Sequence, residues 1–313
     1  MMTALKNKID FALVFAVRNA NPNGDPLDGN RPRTTYEGFG EVSDVCLKRK
    51  IRNRWIDEGY PVFVQSDDHR AQGDQFRSLK DRADGCQELK ACMDAMRAQK
   101  KSKAVPAVSD EDYARIACKT WLDVRAFGQV FAFKKDKKKS GDEENNEKGS
   151  DGVSIGVRGP VSIRSAFSIK EINVVSTQIT KSVNLETGET LGEMGSDRMG
   201  MKHRVSDAVY TTFGAINVQL ADKTGFSQAD AEALKDALRT LFRNDAASAR
   251  PEGSMEVVKL IWWEHNCPSG QYSSAKVHRS LHVVQPDDPR EYPMVTVDES
   301  AIPGLRFVMI DGE

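Results

Sequence analysis

From Ile9 to Arg18 the chain alternates in side-chain size, with Phe11, Leu13, Phe15 and Val17 at odd positions and Ala12, Val14 and Ala16 at even ones. A period of two predicts a strand with its bulky set on one face of a sheet and its small set on the other. The bulky face calls for a layer of helices. The small face reads in two ways: open to something that lies close to the backbone, or covered by a second layer. The period then lengthens. Leu47, Ile51 and Trp55 fall at i, i+4 and i+8 and predict a helix from about Ser43 to Glu58. Ser227, with Asp230 three residues on, resembles a capping box and opens a second helix, whose inner stripe is Ala231, Leu234, Leu238, Leu241 and Phe242. Val153 to Thr177 is β-rich, and Ser206–Leu220 and Met255–His265 each predict a buried strand.

Two segments interrupt this series. Residues 65–134 are polar with an apolar anchor every few positions, which predicts helices, and Lys134–Gly152 has almost no apolar residue and reads as a solvated loop. Gln178–Val205 has strand-like ends around a middle rich in Gly, Thr and Glu, which predicts a long protruding hairpin. With these set aside, the order is strand, helix, strands, helix, strand. That order matches an α+β fold, a ferredoxin-like split βαβ with helices on one face, the layout that underlies RNA-recognition domains. After Gln285 the chain carries seven acids against two bases and reads as a solvated acidic tail.

Composition narrows the function classes. The 313 residues are 39% apolar and 29% charged, with 45 basic and 46 acidic side chains for a net charge of −1. A uniformly basic DNA-coating protein is excluded, but local basic stretches are not. No apolar run approaches the ~20 residues of a membrane helix. The first residues lack a small-residue cleavage site, and the five cysteines form no CxxC pair, so a cytoplasmic protein with reduced thiols is expected.

Between Asn30 and Arg54 lie seven bases against three acids: Arg31, Arg33, Lys48, Arg49, Lys50, Arg52 and Arg54. Cations of this kind neutralise phosphates without reading sequence, or they form a solvated helix face. The preceding loop, Asn19–Arg33, is crowded with turn residues. Asn21 and Asn23 are candidate donors to phosphate or a ribose 2′-OH, and Gly24 permits close backbone approach. Arg125, Arg158 and Arg164 stand near Gly128, Gly156 and Gly159, a pattern that fits a nucleic-acid strand or ordinary turns. At the end of the hairpin, Met199 and Met201 stand beside Lys202, His203 and Arg204, which by themselves fit a surface hairpin whose methionines pack on the body. Asp25 and Asp28 are of a type that holds Mg²⁺, but turn shaping is the stronger reading. Asp67-Asp68-His69 is not otherwise marked as a site. His278 and His282 are four apart without the metalloprotease glutamate, and they read as structural or surface residues. No phosphate loop, no nucleophile elbow and no stacking-aromatic RNP motif occurs, so no cofactor or metal is expected.

Taken together, NPNGDPLDGNRPR, SDVCLKRKIRNR, DVRAFGQVFAF, GVRGPVSIRSAFSI, SDRMGMKHRV, SMEVVKLIWWEHN and GQYSSAKVHRSL resemble, in order, the backbone subunit of type I-C CRISPR Cascade complexes, of the RAMP superfamily. The resemblance implies an RNA-recognition-like palm (residues 1–64, 152–177 and 206–313), a helical fingers insertion (65–151) and a hairpin thumb (178–205) that wedges into the strand, for which Met199 and Met201 are the apolar candidates, flanked by Lys202, His203 and Arg204. It implies several copies stacked along one CRISPR RNA, with guide bases left to pair with target DNA. Other Cascade subunits would join them, and a separately recruited helicase–nuclease would do the cutting. The Lys134–Ser150 loop and the acidic tail match the family least. Related type III backbone subunits cut RNA with a metal and an acidic loop residue, so the resemblance also leaves an endoribonuclease using Asp25 or Asp28 as the alternative.

Overall fold

The computed structural model describes residues 3–99, 108–133, 153–180, 199–288 and 291–313. The charged Lys134–Gly152 stretch and the expected hairpin middle, 181–198, lie outside the described residues. The fold is mixed α+β, and the chain forms two compact units. One comprises 1–6, 55–162 and 216–233; the other comprises 7–54, 163–215 and 234–313.

The second unit holds most of an eight-stranded sheet, which runs in the order Arg306–Asp311, Met255–Glu264, Ile9–Ala20, Met199–Ile216, Ala166–Glu171, Phe39–Val42. Val161–Ile163 and Val174–Thr180 also pair with Met199–Ile216. Ile9–Ala20 lies antiparallel to Met255–Glu264 with a register shift between Val14 and Phe15. The bulky face carries aromatics: Phe15 stacks on Tyr210 and meets Phe242 edge-on, both at 5.3 Å, and Phe11 stacks on Trp262 at 5.6 Å.

The small face is not open. Ala12, Val14 and Ala16 form one core with Val209, Ile261 and Trp263, and Val277, Leu281, Ile302 and Leu305 close over them. Of the two readings of that face, the second layer is the one realised. The acidic tail is also corrected: Met294–Val297 and Arg306–Asp311 are strands. Asp311 pairs with Lys259, and Glu313 pairs with Arg239 and Arg243. These carboxylates are neutralised within their own chain.

Asp10 continues the even series of the first strand and is fully buried on the covered face. The Gln271 N–H donates to His265 Nδ1 at 2.8 Å, so the imidazole proton sits on Nε2 and points at Asp10 Oδ2, 2.8 Å away. His278 Nε2 donates to the Gly214 carbonyl at 3.2 Å and stands 3.5 Å from Asp10 Oδ1. Lys8 Nζ is 3.0 Å from Oδ2. Burial alone would raise the Asp10 pKa. Hydrogen bonds from His265, His278 and Ser274, and the Lys8 charge, more than reverse this and hold the carboxyl far below the usual carboxylate range.

In the first unit, helices Leu79–Gly85, Gln87–Gln99, Asp110–Thr120 and Leu122–Phe127 gather around Phe63, Tyr113, Trp121 and Phe131. Asp123 accepts the backbone N–H groups of Phe63 and Val64 at 2.7 and 3.0 Å and so anchors the entering chain. Gly128–Phe133 pairs antiparallel with Val153–Arg158. Gly128 has φ +81, and a Cβ on it or on Gly159 would strike the backbone of the other's segment. These glycines permit close approach of two protein strands. The strand expected over Ser206–Leu220 ends at Ile216, because Asn217 Oδ1 accepts the Leu220 N–H at 2.9 Å and caps a new helix, Val218–Thr224.

Candidate nucleic-acid interface

The first loop builds itself from the residues proposed to face RNA. Asn21 is buried; its Nδ2 donates to the Asn30 carbonyl at 2.7 Å. Asn23 Oδ1 accepts from the Ser43 N–H and hydroxyl at 2.9 and 3.0 Å. Ser43 in turn accepts from the Cys46 N–H, so Asn23 ties the loop to the start of helix Asp44–Asp57. A Cβ on Gly24 would overlap the Asn30 side chain, and Asn30 itself sits at φ +60. The geometry therefore gives Asn21, Asn23 and Gly24 loop-shaping roles. Asp25 Oδ1 accepts the Leu27 N–H at 3.0 Å and pairs with Arg33 at 3.4 Å. Asp28 lies 3.8 Å from Arg31. The Asp25 side chain thus shapes its turn, whereas that of Asp28 is exposed beside Arg31, and no group of three metal-capable side chains occurs among the described residues.

The basic helix is divided by burial. Lys50 pairs with Asp245 and is 4% exposed; Arg54 Nε donates to Thr240 Oγ1 at 3.0 Å and is 3% exposed. Desolvation lowers the Lys50 pKa, and Asp245 only partly opposes it. Arg49 and Arg52 remain half-buried, and Lys48 forms an i, i+4 pair with Asp44 at 2.9 Å. Arg125 is removed from the interface outright. Its guanidinium is buried, bidentate to Asp230 at 2.8 and 3.0 Å, with a third bond to the Cys118 carbonyl at 3.1 Å. Arg164 is exposed over the Phe213 ring, 6.0 Å from its centroid, and Arg158 is exposed in the first unit.

What the structure brings together is the loop and the base of the hairpin. Val174–Thr180 and the start of Met199–Ile216 pair antiparallel, with Met199 opposite Thr180, Met201 opposite Gln178 and His203 opposite Ser176. Alternation puts Met199, Met201 and His203 on one face and Lys202 and Arg204 on the other. The methionines are 70% and 55% exposed, so the packed-methionine alternative is not what the structure displays. Ser176 Oγ accepts from Arg31 Nη1 at 3.1 Å and shares a hydrogen bond with His203 Nδ1 at 2.8 Å. Loop and hairpin are joined through a serine that sequence reasoning passed over, since one hydroxyl among Ser and Thr carries no distinguishing signal.

The model of the family described as CRISPR-associated protein Cas7 matches residues 7–300. A curated relative, the CRISPR-associated protein Cas7 of Haloferax volcanii, is 25% identical over 252 residues, covering 79% of this chain and 67% of that one. A chain of a solved CRISPR RNA-guided surveillance complex, pre-nicking, aligns at 15% identity over 82% of this chain and 78% of that chain, with TM-score 0.44. A chain of a CRISPR RNA-guided surveillance complex aligns at 15% identity over 82% and 68%, with TM-score 0.38. The family match spans the loop, the basic helix, the hairpin base and nearly all of the sheet, and the chain belongs to the Cas7 family of CRISPR-associated proteins.

Proposed function

We propose that the chain is a non-catalytic backbone subunit of a type I-C CRISPR interference complex in the cytoplasm. Several copies line up along a CRISPR RNA, grip its phosphates without reading sequence, and leave bases free to pair with target DNA. Other Cascade subunits complete the assembly, and a recruited helicase–nuclease acts on the DNA. The observation that carries this reading is the Ser176 junction: in a chain of the Cas7 family, it links a basic loop to a strand pair bearing two exposed methionines.

The strand order Met255–Glu264, Ile9–Ala20, Met199–Ile216, Ala166–Glu171 supports an RNA-recognition-like palm, since it follows the 4-1-3-2 arrangement of a split βαβ sheet. The pair Val174–Thr180 and Met199–Val205 forms the base of the thumb, with Met199 and Met201 as the wedge and Lys202, His203 and Arg204 beside the displaced strand. Arg31, Arg33, Lys48, Arg49, Arg52 and Arg164 are the phosphate ligands. The engagement of Asp25 with Leu27 and Arg33 supports the non-catalytic reading.

Purification from cells that express the matching CRISPR array tests this. The protein is expected to carry short RNAs of discrete length; reproducibly RNA-free preparations would overturn the reading. Lys48→Glu with Arg49→Glu is expected to weaken RNA retention whatever the spacer. It is also expected to flatten log Kd against log salt by about 1.4, at ~0.7 per phosphate contact on a single strand. An unchanged slope removes these two residues from the interface.

A further inference from the structure

A cleft of about 690 Å³ opens in the first unit where helix Asp110–Thr120, strand Val153–Arg158 and helix Val218–Thr224 meet. Part of its lining is apolar. Ala114, Val157 and Leu220 line it, and nothing lies within 4 Å of where a Cβ on Gly156 would stand. Its rim is cationic: Arg115, Arg158 and Lys223 are all exposed there, against the single carboxylate of Glu111. Arg115 leans on its helix neighbour Asp112, whereas Arg158 and Lys223 have no acidic partner among the described residues. Unpaired cations over an apolar floor suit an anion attached to a flat apolar group, and the volume falls within the range that encloses a small ligand. Acidic peptides meet the charge but leave the apolar lining of Ala114, Val157 and Leu220 unused.

We propose that this cleft binds a nucleotide unit, with its phosphate between Arg158 and Lys223 and its base on the Val157–Leu220 floor, as a site separate from the guide-binding surface. The unit comes either from a second polynucleotide strand or from a free nucleotide. The inference rests on the cleft alone and not on the guide-binding reading. Arg158 enters it in company with Arg115 and Lys223, which sequence gave no reason to group, as the three belong to separate elements.

The test uses the full chain with whatever RNA it carries. A short fluorescein-labelled oligothymidylate is titrated against the wild type and against Arg158→Glu/Lys223→Glu, with AMP as competitor. The wild type is expected to bind; in the double variant Kd rises about tenfold or more and the salt slope falls by about 1.4. Arg158→Gln/Lys223→Gln falls between the two and guards against charge-driven misfolding, which parallel melting curves also exclude. Displacement by millimolar AMP assigns a free nucleotide, and persistence of the bound oligonucleotide assigns a strand; both support the site. Absent oligonucleotide binding by the wild type, or equal binding by the double variant, overturns the proposal. So does a double variant that loses its carried RNA in step, since the cleft would then belong to the guide path. A preparation without RNA whose oligonucleotide binding still responds to these substitutions refutes the guide reading and leaves the cleft standing.

Discussion

Asp10→Ala is expected to destabilise the sheet-bearing unit by about 3–5 kcal/mol, the range for removing one partner of a buried ionic network. Asp10 and His265 are fully enclosed, and the carboxylate is the acceptor on which His265, Lys8 and Ser274 converge. Without it the His265 Nε2–H loses its acceptor inside a low-dielectric layer, where an unmet polar group is costly, and the part-buried Lys8 ammonium keeps, among the described residues, only the Tyr272 carbonyl at 3.4 Å. The loss reads out as a fall in the urea midpoint followed by tryptophan fluorescence, because Trp262 and Trp263 lie on the strand paired with Asp10. The pH dependence has a definite sign. The folded carboxyl is held far below its ordinary 3.8, so its contribution is complete above that value and is lost as the pH falls below it. The gap between wild type and Asp10→Ala is therefore expected to be wide near neutrality and to narrow progressively below pH ~4. A gap that is already small at pH 7, or that does not narrow in acid, would show that Asp10 is not the ionised centre of the network.

The same network marks how far the sequence could be read. The alternation from Phe11 to Val17 announced a strand, and Ser227 with Asp230 announced a capped helix; both signals are local, and both elements form. The layer over the small face was not legible. Val277, Leu281, Ile302 and Leu305 lie scattered in a stretch with prolines and acids, where no period exposes them. Asp10 itself was a visible anomaly, a charged residue in register with Ala12, Val14 and Ala16, but His265, which meets its Oδ2, lies 255 positions on. The basic helix fails for a similar reason. Residue type cannot separate Lys50 and Arg54 from Arg49 and Arg52, because Asp245 and Thr240, which claim the first two, come from the far end of the chain. At the interface, Arg31 and His203 were legible as types, but not their meeting at Ser176, which depends on how the loop packs beside the hairpin base.

Arg125 turns that limit into a measurable contrast. Its neighbouring glycines made it a candidate for phosphate, yet its guanidinium is bidentate to Asp230. Arg125→Ala is expected to lower stability by about 3–5 kcal/mol, because it leaves the Asp230 carboxylate buried with only its helix-cap bonds to Ser227. Asp230→Ala is expected to cost more than Arg125→Ala, since it strands the guanidinium and also removes the carboxylate half of the capping box, the acceptor of the Ser227 N–H and hydroxyl at the start of helix Gln228–Arg239. Arg125→Lys keeps the charge but not the planar fork and is expected to recover only part of the loss. The discriminating measurement pairs a urea melt with the RNA content per folded molecule. A structural Arg125 shifts the melt and leaves RNA content where it was. An unshifted melt with depleted RNA would return Arg125 to the phosphate path and would mean that its pairing with Asp230 gives way when RNA binds.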